Sequence, residues 1–149
     1  MTHVSTHVRN AFLIVASCCA FAAIAADIGQ IKISRGSVTV GRAAQSLPGV
    51  VGTRLQASDV ITTGADGSVG ITMNDDSLLS AGPNSTLSLD RFAFDSTTHQ
   101  GRFDASLRKG SLSVISGRIA KQSPDAMIVR TPSTILGVRG TEFVVSVDE

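Results

Sequence analysis

Two charged residues, Arg139 and Glu142, stand in a stretch from Met127 to Val147 that is otherwise dominated by Val and Ile, and no other charge lies between Arg130 and Asp148. An arginine placed there can recognise an anionic ligand, or use its planar fork of donors on a carboxylate or on buried carbonyls of its own fold. No aromatic or polar cluster accompanies it, so the expected role is structural, with Arg139 locking the segment. Glu142 is one candidate partner, although residues three apart on a strand face opposite ways, which makes a carboxylate on another strand equally eligible. Gly137 and Gly140 flank Val138 and Arg139 and are expected to set the backbone course between them.

The remaining candidates for chemistry are acidic turns. Asp66 and the run Asn74-Asp75-Asp76 could supply oxygen ligands to calcium if two turns stacked, but a hard cation wants six to eight oxygens, and side chains that cap their own turns are the expected reading. His99 is the one histidine beyond residue 7, which leaves too few parts for a zinc site or a His-based triad. No spacing of the many Asp residues singles out an acid–base pair. Neither catalysis nor a cofactor is expected.

The elements that must hold these residues read as short strands. Ile31-Lys32-Ile33 and residues 37–40 alternate about Gly36, and Pro48-Gly49 marks a turn within a connecting segment at 42–52. From Asp66-Gly67 onward the spacing is regular: Val69, Ile71 and Met73 share one face, Leu87 and Leu89 another, with turn residues every eight to ten positions. Phe92 and Phe94 point the same way from residues 90–95, a polar loop covers 96–101, and two strands are expected at 103–107 and 112–116 around Lys109-Gly110. A second loop spans 117–125. The final segment reads as strand, turn at Pro132, strand, and one more strand. Ser and Thr on the outward positions and Val, Ile and Leu inward predict an all-β domain, either a two-layer β-sandwich or a short β-solenoid.

Before all this, the first 25 residues form a separate unit. Arg9 precedes an uncharged run, Ala11 to Ala26, that ends in small residues, the pattern of a secretory signal peptide cut after Ala22 or Ala25. The run is shorter than the roughly 18 residues of a spanning helix. An uncleaved inner-membrane anchor through 11–26, or lipidation at Cys18, are the alternatives. Both cysteines, Cys18 and Cys19, fall in this unit, so the exported domain at 26–149 has no thiol chemistry. Only Arg9 is lost with it, leaving 12 basic against 12 acidic residues, which gives no electrostatic footprint for nucleic acid. The absence of Trp and Tyr argues against stacking platforms for bases or sugars.

Three stretches carry a resemblance. Asp59-Val60-Ile61-Thr62-Thr63-Gly64, then Asp66-Gly67-Ser68 through the turn Pro83-Asn84-Ser85 to Leu89, then Thr131-Pro132-Ser133-Thr134 through Val138-Arg139-Gly140-Thr141-Glu142-Phe143 together resemble the FecR domain family over about residues 36–148. The departure is Asp76, where the family carries Gly between Asp and Ser; Asp tolerates a left-handed turn, so the turn is expected to survive. The resemblance implies a periplasmic all-β module of jelly-roll type, with Asp59, Thr63, Gly64, Asp66, Gly67, Thr131, Pro132, Gly137, Arg139, Gly140, Thr141, Glu142 and Phe143 as its structural motif. It implies a non-catalytic protein-interaction or envelope-signalling role with another envelope protein as partner, through a sheet edge or through loops 42–52 and 96–101. A regulator coupled to siderophore uptake, as the founding members are, and a cell-wall carbohydrate module are the alternatives. The founding regulators also carry an N-terminal cytoplasmic domain, and only about nine residues precede the apolar run here.

Overall fold

A chain of alternating strands with one apolar face must bury that face against another layer, and this one does so by curling a single sheet upon itself. The computed structural model describes residues 24–140 and 142–148; the expected signal peptide, apart from its last two residues, lies outside them, as does Thr141. Among the described residues the strands are β1 (Asp27–Arg35), β2 (Val38–Arg42), β3 (Gln45–Pro48), β4 (Arg54–Gln56), β5 (Val60–Thr63), β6 (Ser68–Met73), β7 (Leu78–Ala81), β8 (Thr86–Phe94), β9 (Gly101–Ile115), β10 (Met127–Arg130), β11 (Ile135–Gly137) and β12 (Glu142–Val147). The all-β expectation holds. Every pairing is antiparallel except that of β10 with β9.

Strand β9 belongs to both layers. Its first part, up to Lys109, lies between β8 and β10, and from Gly110 onward it lies between β7 and β12. One layer therefore runs β12-β9-β7-β6-β1-β4 and the other β3-β2-β5-β8-β9-β10-β11. The two strands expected around Lys109-Gly110 are one continuous strand, because its hydrogen bonds are taken up by new neighbours as it crosses over. Gly110 sits at the crossing with φ +88°, and a Cβ there would press to 2.5 Å from Ser85 Cα. Only glycine fits that combination. The Ser85 hydroxyl accepts the Ser111 N–H at 3.0 Å and pins the crossing from the side.

The inward residues of both layers form one core. Ile31, Ile71, Leu79, Leu112 and Val114 from the first layer meet Val40, Ile61, Leu87, Leu89, Phe103 and Leu107 from the second, all essentially without solvent contact. Phe103 lies at its centre and Phe92 packs on it edge-to-face at 5.4 Å, while Phe92 and Phe94 remain half-buried. The two segments expected at 85–89 and 90–95 merge into β8, which absorbs a bulge between Ser88 and Arg91. The loop at 117–125 contains a short helix, α1 (Arg118–Gln122), followed by a 3-10 turn at Pro124–Ala126; Ile119 and Ala120 of α1 reach the core. No helix among the described residues is long and apolar enough to cross a membrane.

Candidate functional site

The motif residues fall into two groups, one about β5 and the turn that follows it, the other from the end of β10 to the start of β12. The first group gathers around the turn from β5 to β6. Asp59 is fully buried, and its carboxylate takes a two-point clamp from Arg42, Nε to Oδ1 at 2.8 Å and Nη2 to Oδ2 at 2.6 Å, plus the Gln56 N–H at 2.8 Å. That carboxylate raises the pKa of the Arg42 guanidinium through the hydrogen bond and its charge. Arg42 also donates to the Arg54 carbonyl at 2.8 Å, so one side chain joins β2, β4 and the turn before β5.

Thr63 continues the same work. Its hydroxyl donates to the Gly82 carbonyl at 2.6 Å and accepts the Ser85 N–H at 2.9 Å, tying β5 to the Pro83-Asn84 turn. Gly64 donates to the Ser37 carbonyl and accepts from Gly67 and Asn84, and Asp66 accepts the Ser37 N–H. Gly67 is buried against Gly64, where a Cβ would lie 2.8 Å from the Gly64 nitrogen. These five residues knit turns together and present no free donor set to a ligand.

The acidic turn after β6 behaves likewise. Asp76 has φ +65°, the left-handed conformation expected of it, and pairs with Arg118 at 2.6 Å. Asp75 is completely buried: its oxygens accept the Ser77 N–H (3.1 Å), the Ser77 hydroxyl (2.8 Å) and the Ile119 N–H (3.3 Å). No group of three His, Cys, Asp or Glu among the described residues is placed to hold a metal ion. The sequence pattern gives Asp75 no role beyond its turn. Its farthest partner lies 44 residues away in α1, a distance no local pattern reports.

The second group forms the closing segment. Thr131 and Thr134 close the turn around Pro132, by an N–H to carbonyl bond of 2.8 Å and a hydroxyl acceptor at 3.1 Å. Val138 is buried, and the Gly140 carbonyl accepts the Ser116 hydroxyl at 2.7 Å. Two expectations fail here. Arg139 is not a buried lock: its side chain is 77% exposed and pairs at 3.0 Å with the equally exposed Asp125, not with Glu142. Gly137 and Gly140 show neither a left-handed backbone nor a crowding contact, since an added Cβ would meet nothing nearer than 3.9 Å. The buried charge that the sequence placed at Arg139 sits instead at Asp59, held by Arg42.

What the closing segment does offer is an edge. β12 pairs with β9 on one side and with no other strand among the described residues. Its inward residues Phe143, Val145 and Val147 are only half-buried, Val144 points outward 69% exposed, and Glu142 and Ser146 are exposed. Between β11 and β12 lies a mostly apolar groove of about 280 Å³ lined by Leu136, Val138, Phe143 and Val144, with Arg139 as its one charged residue. Among the described residues the other three terminal strands are blunted: β4 and β11 have three residues each, and β3 ends in Pro48. β12 has six residues and carries neither proline nor lysine.

No curated protein and no solved structure matches the chain. The sequence profile described as FecR protein matches residues 59–149, starting at the buried aspartate. Strands β1 to β4 precede the match, yet they supply Ile31, Val40 and Leu55 to the core and Arg42 to Asp59. With more than half its length matched, the chain belongs to the FecR family, which is associated with envelope signalling rather than with catalysis.

Proposed function

We propose that the chain is a non-catalytic interaction module of envelope signalling that acts in the periplasm and binds another envelope protein by strand addition at β12. The observation that carries this reading is the unblunted six-residue edge beside an apolar groove, with an inward face left half-covered. An incoming strand would complete the ladder through backbone hydrogen bonds, and its alternate side chains would enter the groove. The exported location rests on the leader-like pattern of residues 1–25.

A photo-crosslinking residue placed at 144, compared with one at 46 on β3, tests this in intact cells. A discrete heterologous adduct from position 144, lost when Val145 is replaced by lysine, is the expected result. Adducts of equal yield from both positions, or none from 144, would overturn it.

A further inference from the structure

The edge strand is also complementary to itself, and from this we infer that β12 pairs with β12 of a second copy, joining two chains into one continuous sheet. This pairing rests on the reading of β12 as a strand acceptor and gives that acceptor a second copy of the chain as its occupant while the other envelope protein is absent.

Two copies of Glu142-Phe143-Val144-Val145-Ser146-Val147 placed antiparallel about a two-fold axis can meet in only a few registers. A register that sets an outward residue opposite an inward one turns the groove-facing side chains to solvent and is excluded by the two-residue pleat. Centring the axis on Val145 puts Glu142 opposite Asp148, like charge against like, and Val144 opposite Ser146. Centring it on Phe143 puts Glu142 opposite Val144. Centring it on Val144 matches every pair. The exposed Val144 meets itself, Glu142 meets the Ser146 hydroxyl, and the half-buried Phe143 meets Val145 on the inward face.

Apolar pairs in the middle, with a carboxylate facing a hydroxyl on either side, are what a self-pairing strand requires. Both half-covered apolar faces are extended by the same operation.

The test uses the full chain with Cys18→Ser and Cys19→Ser, recovered from the cell envelope, so that introduced cysteines are the only thiols. Sedimentation should give twice the mass of one chain, and mild oxidation of Val144→Cys should give a covalent dimer, since directly opposed strand residues lie within disulfide reach. Glu142→Cys alone should give none, because its two copies are four residues out of register; combined with Ser146→Cys the dimer should return. Val144→Lys, which sets two ammonium groups face to face, should halve the mass without changing the circular dichroism spectrum. A monomer at all concentrations, or Glu142→Cys crosslinking as readily as Val144→Cys, overturns the pairing. If the chain is monomeric and the heterologous adduct at position 144 persists, self-pairing fails and strand addition by another protein stands. If the chain is dimeric and no heterologous adduct forms, self-pairing stands and the heterologous partner falls.

Discussion

The guanidinium of Arg42 and the carboxylate of Asp59 form a two-point pair across 17 residues of chain, at 2.8 and 2.6 Å, with the Asp59 side chain 1% exposed and the Arg42 side chain 28% exposed. Deleting one partner strands a charge where water reaches it poorly, and the cost of that exceeds the worth of the pair itself. Arg42→Ala is expected to lose roughly 2–4 kcal/mol, somewhat below the ~3–5 kcal/mol of fully buried pairs because solvent touches the arginine. Arg42→Lys keeps the charge and loses the fork, and should fall between. Urea denaturation followed by circular dichroism measures both; a loss below about 1 kcal/mol for Arg42→Ala would show that the pair is solvated.

Asp75 and Ser77 should prove coupled. The Ser77 hydroxyl donates to Asp75 and accepts the Gly117 N–H at 2.9 Å, so the two side chains share the task of docking the start of α1. Asp75→Ala exposes three buried donors to a partnerless interior and is expected to cost roughly 2–4 kcal/mol, against about 1–2 kcal/mol for Ser77→Ala. In a double-mutant cycle the two losses should fall short of additivity by more than about 0.5 kcal/mol. Strict additivity would mean that each residue acts alone.

The fold class was legible because alternation is local: Val69, Ile71 and Met73 state their shared face within six residues, and all three are buried. The turn motifs were legible for the same reason, and Asp76 takes the left-handed conformation expected of it. The continuity of β9 was not legible, because Lys109-Gly110 reads as a turn and only the neighbours on either side reveal a crossing between layers. Nor was the buried charge. Arg139 stood out because its surroundings in sequence are apolar, but burial is decided by what covers a residue in space, and nothing among the described residues covers its side chain. Arg42 lay in what read as a loop, its partner 17 positions on, and no short-range pattern joins them.

The loop after β8 should resist acid until the pH falls below the usual carboxylate range. The Asp95 carboxylate accepts the backbone N–H groups of Thr97 (2.8 Å) and Thr98 (3.2 Å), and these bonds hold its pKa below the ordinary carboxylate value. A depressed folded-state pKa means that the stabilisation is fully present above the unfolded pKa and is lost as pH falls through the folded one. The amide resonances of Thr97 and Thr98 should therefore hold steady at neutral pH and shift only at a pH below the usual carboxylate range. In Asp95→Ala the shift should vanish. A midpoint above about pH 4 would contradict the hydrogen-bonding assignment.

Arg139→Ala is expected to leave stability nearly unchanged. The pair with Asp125 joins two side chains that are 77% and 84% exposed, and ion pairs of that kind contribute about 0–1 kcal/mol because water and salt screen them. The segment is held by other means: the Ser116 hydroxyl on the Gly140 carbonyl, the Val138 N–H on the Met127 carbonyl at 3.0 Å, and the burial of Val138. Val138→Ala should accordingly cost more than Arg139→Ala, by about 1–2 kcal/mol for the lost apolar burial. Thermal melts of the two variants decide between a charge lock and an apolar one. If Arg139→Ala melts well below Val138→Ala, the arginine holds the segment shut and its exposure misrepresents its role.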